Sequence, residues 1–405
     1  MSERRSGGSG APWSGEPPSE AGDGLAGGLR RNARAIVGGL VLLLLVGLLP
    51  DLTPPSSEPP PVVLVHARIV ELVDTGGEPG VPDAVVEVLS GPDAGTRRQA
   101  YLQGPSGQQE VPRYEVGDEV ILNISQQGQD AAFVAVADRF RVPALAALVG
   151  LFALAVTLVG GWRGIRSLLA LALTLAVVIR IVVPLLLAGW DPVPLAVISA
   201  SLVTLATFLL TEGARPTTVA AAAGTFLALA LTALLAVAFN ALARFTELQG
   251  SGDLVYLQTV GRPELDLGGL LLAAVIFGAL GILDDVTVTQ AATVHELYEA
   301  DPNVGRFELF RRAMNVGRSH IAATVNTLAL AYVGASLPLI VLFNAGQQDP
   351  FLTASGEVVA VEIVKALVGS IGITAAVPAT TAMAVLLVGR RVPLLDRADR
   401  PPGWT

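Results

Sequence analysis

Two consecutive aspartates, Asp284-Asp285, interrupt a strongly apolar run that begins at Leu267. An ionisable side chain at membrane depth costs several kcal/mol unless it faces water or a partner, so such a pair raises a functional hypothesis. Farther along, Asn315, Thr324 and Asn326 bring amides and a hydroxyl to the edge and interior of another apolar stretch. A carboxylate with neutral oxygens beside it can hold a proton or a cation. Adjacent carboxylates also repel, which favours one of the two carrying a proton. A second polar set consists of Arg180, Glu362 and Lys365, the last being the chain's one lysine.

Each group has a plainer reading beside the functional one. Asp284-Asp285 could mark a solvated helix end. Glu362 and Lys365, one helical turn apart, could form a local pair, and Arg180 could snorkel outward or join Glu362. His320 beside Arg318 fits an interfacial residue better than a metal ligand. Gly278, Gly281, Gly369 and Gly372 fit close helix packing better than a phosphate loop, and no Gly-x-x-x-x-Gly-Lys-Ser/Thr is present. With no cysteine there is no thiolate site or disulfide framework. Nothing in the sequence requires a cofactor or a metal. Two aspartates invite comparison with an intramembrane protease, but consecutive residues diverge by about 100° on a helix.

The elements that carry these residues are membrane spans. Of 405 residues 52% are hydrophobic and 15% charged, against about 25% charged in a soluble domain. Mean hydropathy is +0.60. The apolar blocks approach or exceed the ~18 residues that cross a bilayer core. A net charge of −9 argues against nucleic acid as a partner. The expected fold is an α-helical polytopic membrane protein of about eight spans with a small all-β, OB-like or barrel domain outside the cytoplasm. Residues 1–34 read as a disordered cytoplasmic tail and 35–50 as an uncleaved signal anchor. A Pro/Ser linker covers 51–60 and the β domain 61–141. A seven-helix membrane domain fills 142–389, with spans near 143–161, 166–188, 193–211, 217–240, 268–288, 319–344 and 359–388. Residues 390–405 form a cytoplasmic tail.

The β domain is read from short alternating runs at 62–70, 84–89 and 119–123, separated by turn-forming Gly, Pro and Asp. Topology follows from arginine. Eleven arginines (163, 166, 215, 306, 311, 312, 318, 390, 391, 397 and 400) fall in loops on one side, and only Arg244 and Arg262 fall in the opposite short loops. The positive-inside rule then puts both termini in the cytoplasm of a cell membrane. In that orientation Asp284 and Asn326 reach similar depth, Asn326 about 10 Å in from the cytoplasmic side. Glu212, His295, Glu296, Arg318 and His320 lie at or just below that layer. Arg180, Glu362 and Lys365 belong to the outer half. Pro338, Pro378 and the long stretch 267–300 predict interrupted helices of the kind that form transporter ion sites.

Three stretches carry a family resemblance. They are Gly278–Gln290, then Met314–Arg318 continuing through Thr324–Tyr332, then Glu362–Gly372 followed by Pro378. Together they resemble the YibE/F family of bacterial multi-pass membrane proteins, over about residues 60–388. Asp285 and the Ser319-His320 pair depart from the family's commoner forms. The resemblance implies a membrane protein, with permease the usual reading, and no defined activity. Two functions stand at this point. One is a transporter for a small solute or ion, using Asp284 and Asp285 with Asn315, Thr324 and Asn326 around one cavity. The other is a scaffold whose outer β domain binds an envelope component.

Overall fold

The computed structural model describes residues 21–53, 62–73, 82–102, 113–125, 133–245, 266–346 and 349–389. The expected tail before residue 21, the linker from 54 to 60, Arg262 and the segment 390–405 lie outside the described residues.

Five strands form the N-terminal domain: β1 Val62–Leu72, β2 Ala84–Val88, β3 Arg97–Ala100, β4 Glu119–Ser125 and β5 Phe133–Arg139. They make one antiparallel sheet in the order β3-β2-β1-β4-β5. The sheet curls into a half-barrel, and its two edges meet at a parallel bridge between Tyr101 and Ala135. Alternation puts Val65, Ala67, Ile69, Ala84, Val86, Val88, Val120 and Leu122 inside, as a period of two requires. Turns at 90–95 and 116–118 form with Gly91, Gly95 and Gly117 at positive φ. On the outer face Glu119 meets Arg68 at 2.9 Å and His66 at 3.1 Å. These two contacts, Arg68 first, hold the Glu119 carboxyl below its usual range.

The helices are α1 Ala21–Gly47, α2 Val142–Val177, α3 Val183–Leu187, α4 Pro192–Thr211 and α5 Pro216–Ala243. They continue as α6 Leu267–Ala300, α7 Arg306–Ala335, α8 Leu337–Ala345, α9 Pro350–Ser355 and α10 Glu357–Leu387. Among the described residues five helices are long and apolar enough to cross a membrane, or six if the bent pair α7–α8 is one span. The difference from eight has two sources. The apolar part of α1, Asn32–Gly47, is short for a crossing. The stretches expected as separate spans at 143–161 and 166–188 count as one helical run, Val142–Leu187. That run is broken at Gly161, whose φ of 54° and ψ of −134° are not helical. Gly164 comes against the Val156 carbonyl beyond the break, so the chain folds back there. Helix α1 also starts at Ala21, ahead of the expected 35, because the basic flank Leu29–Arg34 continues the helix.

Helix α6 occupies the centre and packs on α4, α5, α7 and α10. It is continuous over 34 residues, about 51 Å at 1.5 Å per residue. The interruption expected at Gly278, Gly281 and the aspartates is absent. A helical glycine costs only about 1 kcal/mol, which packing on four neighbours offsets. Pro378 likewise sits inside the unbroken α10. Pro338 does mark a break, since α7 and α8 meet at 59° around Ser336; proline has no N–H to continue the ladder. Helices α5 and α10 interlock through small residues. A side chain at Gly224 of α5 would collide with Thr380 of α10, and one at Gly372 of α10 would collide with Thr232 of α5. By contrast a Cβ on Gly281 would meet nothing within 4 Å, and Gly278 and Gly369 sit at ordinary contact distance.

Candidate functional site

Three polar residues on successive turns of α6 each reach a different helix. Thr204 of α4 donates its hydroxyl to Asp284 Oδ1 at 3.0 Å. Thr287 meets Thr225 of α5 at 2.7 Å between hydroxyl oxygens. Gln290 donates through Nε2 to Thr381 Oγ1 of α10 at 2.8 Å and to the Ala313 carbonyl of α7 at 3.1 Å. Thr204, Thr225, Thr287, Gln290 and Thr381 are all buried. Buried polar groups are retained when hydrogen-bonded, and here the bonds tie the central helix to the bundle at three levels. Gly317 belongs to the lowest knot: a Cβ there would lie 2.5 Å from Val377 Cγ1 and 2.9 Å from Gln290 Oε1.

Asp284 is half-buried and Asp285 exposed, as the ~100° between neighbours requires. Helix α6 continues past them to Ala300, so Asp284 is not at a helix end. Both aspartates line a cavity of about 580 Å³ between α2, α4 and α6. Its polar lining is Arg163, Ser167 and Thr174 from α2, Thr207, Thr211 and Glu212 from α4, and the two aspartates. Arg163, Ser167 and Thr174 are four and seven residues apart on α2, and Thr207 and Thr211 are four apart on α4, which puts each set on one face. Glu212, expected at this depth, is brought to the site.

The other expected site residues are placed elsewhere. Helix α7 packs through Leu309, Ala313, Gly317 and Leu328. Asn326 lies about 180° round the helix from Gly317, and Asn315 about 160°. Both are exposed, and Asn315 accepts from Arg318 at 3.3 Å. Thr324 is half-buried on the packing face, but neither it nor the two asparagines lines the Asp284 cavity. The depth estimate places α7's residues along the membrane normal but not around the helix axis. The outer set also separates: Lys365 and Glu362 pair locally at 2.7 Å. Arg180, in a single π-helical turn Val178–Val182, donates to the Leu49 carbonyl at the end of the first apolar segment. Of the two plainer readings of Arg180, outward snorkelling or a pair with Glu362, the pair does not form; its hydrogen bond goes to the chain just after α1.

The hydroxyls Thr174, Thr204, Thr207 and Thr211 escape a sequence reading because threonine in an apolar helix satisfies itself on its own backbone. On α4 the three- and four-residue spacing of Thr204, Thr207 and Thr211 is the available signal. Among the described residues no cluster of three His, Cys, Asp or Glu side chains is placed to hold a metal ion.

Apolar helices around a buried polar ladder define a multi-pass membrane protein. The YibE/F-like protein family matches residues 148–390, more than half of the chain, and the protein belongs to that family. The match begins after the β domain, which the resemblance was expected to include. Comparison with curated proteins and with solved structures gives no significant match.

Proposed function

We propose that this protein is a permease of the cytoplasmic membrane, with Asp284 as its ion-binding group and the cavity between α2, α4 and α6 as its solute path. In this reading both termini are cytoplasmic and the β domain is outside. The single observation that carries it is a carboxylate in mid-helix, within an apolar span, that lines a cavity of about 580 Å³ and is held in place by Thr204. A carboxylate at membrane depth is costly unless it faces a wet cavity or a partner, and Asp284 has both. The polar lining gathers toward one end, where Arg163, Glu212 and Asp285 lie at the α2 reversal, the end of α4 and the exposed side of α6. On the arginine distribution that end is cytoplasmic.

The test is ion or proton flux into proteoliposomes containing purified protein, beside Asp284→Asn. The amide keeps the shape of the carboxylate and cannot titrate. Flux above protein-free vesicles that the variant loses supports the reading. Equal flux in wild type and variant, or none in either across a panel of ions and pH gradients, removes it.

A further inference from the structure

Four threonines around the Asp284 cavity use their hydroxyl protons elsewhere. Thr204 donates to Asp284 Oδ1. Thr207 donates to the Thr204 carbonyl at 3.0 Å, Thr211 to the Thr207 carbonyl at 2.9 Å, and Thr174 to the Ala170 carbonyl at 2.9 Å. A hydroxyl has one proton and two lone pairs. Thr174, Thr207 and Thr211, which line the cavity, therefore present it with acceptor oxygens. Asp284, Asp285 and Glu212 add carboxylates. Donors in the lining come down to Arg163 and Ser167, and Arg163 lies eleven residues before Thr174, about 16 Å along α2. An anion or a sugar needs donors in its walls; these walls accept.

Charge narrows the ligand further. Asp284 is the half-buried carboxylate, while Asp285 and Glu212 are exposed. Its Oδ1 takes the Thr204 proton, and among the described residues Oδ2 has no donor. One half-buried negative charge with neutral oxygens around it matches a single positive charge. A divalent ion gathers several carboxylates, and no three acidic or histidine side chains come together among the described residues.

We propose that the cavity binds a monovalent metal cation of the sodium class, ligated by the Asp284 carboxylate and the hydroxyl oxygen of Thr207, one helical turn from the Thr204 that holds Asp284. This rests on the permease reading and deepens it, since a bare proton would need Asp284 but not the Thr207 hydroxyl.

The experiment measures thermal unfolding of the full-length protein in detergent against NaCl, with ionic strength held constant by choline chloride. LiCl, KCl and MgCl2 are run in parallel. A ligand that binds only the folded state raises the midpoint in a saturable way. Wild type should rise with Na+ and not with choline. Thr207→Val, equal in shape and lacking the hydroxyl, should weaken the apparent affinity at least tenfold, and Thr207→Ser should restore it. Asp284→Asn should abolish the rise. Equal midpoints in Na+ and choline, a rise with Mg2+ alone, or an undiminished rise in the valine variant would each overturn the proposal. If Na+ has no effect but proteoliposome flux still depends on Asp284, the permease reading stands and the ion is a proton. If Asp284→Asn changes neither measurement, both readings fall.

Discussion

The hydroxyls of Thr225 and Thr287 meet at 2.7 Å between α5 and α6, and both side chains are fully buried. Either oxygen can donate, so each residue satisfies the other where no water is at hand. Removing one partner strands the other, at a cost of about 1–3 kcal/mol. Thr287→Val should therefore lower the thermal midpoint more than the double change Thr225→Val/Thr287→Val. Calorimetry or a fluorescence melt on wild type and the two variants checks this, and equal loss in single and double variants would refute the pairing.

Gly317 and Gly281 should respond oppositely to alanine. At 317 the new methyl meets Val377 and both polar atoms of Gln290 within about 3 Å, so Gly317→Ala should destabilise by about 1–3 kcal/mol through overpacking. At 281 it meets nothing within 4 Å, and alanine is a better helix former by up to about 1 kcal/mol. Gly281→Ala should then leave the melting midpoint level or raised. Because Gly281 lines the cavity, its effect belongs in flux, not in folding.

Asn326→Leu should leave Asp284-dependent flux unchanged. Its side chain is exposed on the side of α7 away from the bundle, and leucine makes the span more apolar. A proteoliposome measurement showing loss of flux with normal insertion would return Asn326 to the site.

The absence of native cysteine allows topology to be mapped one residue at a time. Ser90→Cys in the β domain should react with an impermeant thiol reagent on intact cells. Arg215→Cys and Asn303→Cys should react only once the membrane is opened. All three positions are exposed, so a reversed pattern would invert the orientation.

The pH response of the β domain follows from Glu119, whose carboxyl is held below its usual range by Arg68 and then His66. Its contribution to stability is present above the unfolded carboxylate value of about 4.3. It is lost as pH falls through the lower folded value. Arg68→Ala should bring acid unfolding of this domain to higher pH, followed by circular dichroism between pH 6 and 2. The groups are solvent-exposed, so the displacement should be small.

What could be read before the structure divides by direction. An aspartate inside an apolar run is conspicuous, and so is its depth, because rise per residue is fixed. Strands β1, β2 and β4 were equally legible, since residues such as Val65, Ala67 and Ile69 alternate with polar neighbours, whereas the short β3 and β5 were not located. Which neighbour α6 turns toward Asp284 was not legible, because that is set by packing among helices far apart in sequence. Thr204 lies eighty residues from Asp284 and looks like any helical threonine. Asn326 shows the same limit from the other side. Its depth agrees with Asp284, but Ala313, Gly317 and Leu328 claim the opposite face of α7.

The paired notches between α5 and α10 determine how this bundle can move. Gly224 receives Thr380, and Gly372 receives Thr232, with the same eight-residue interval on each helix. Sliding either helix along the other by one turn would drive two threonines into backbone at once. That pair can come apart but cannot shear, so it behaves as a fixed jaw, with α6 bolted to it through Thr225. On the other side α4 meets α6 through Thr204 and Asp284, and again where Gly269 of α6 comes against Pro192 of α4. The hydrogen bond that orients Asp284 is thus also the one that pins α4 to the middle of α6.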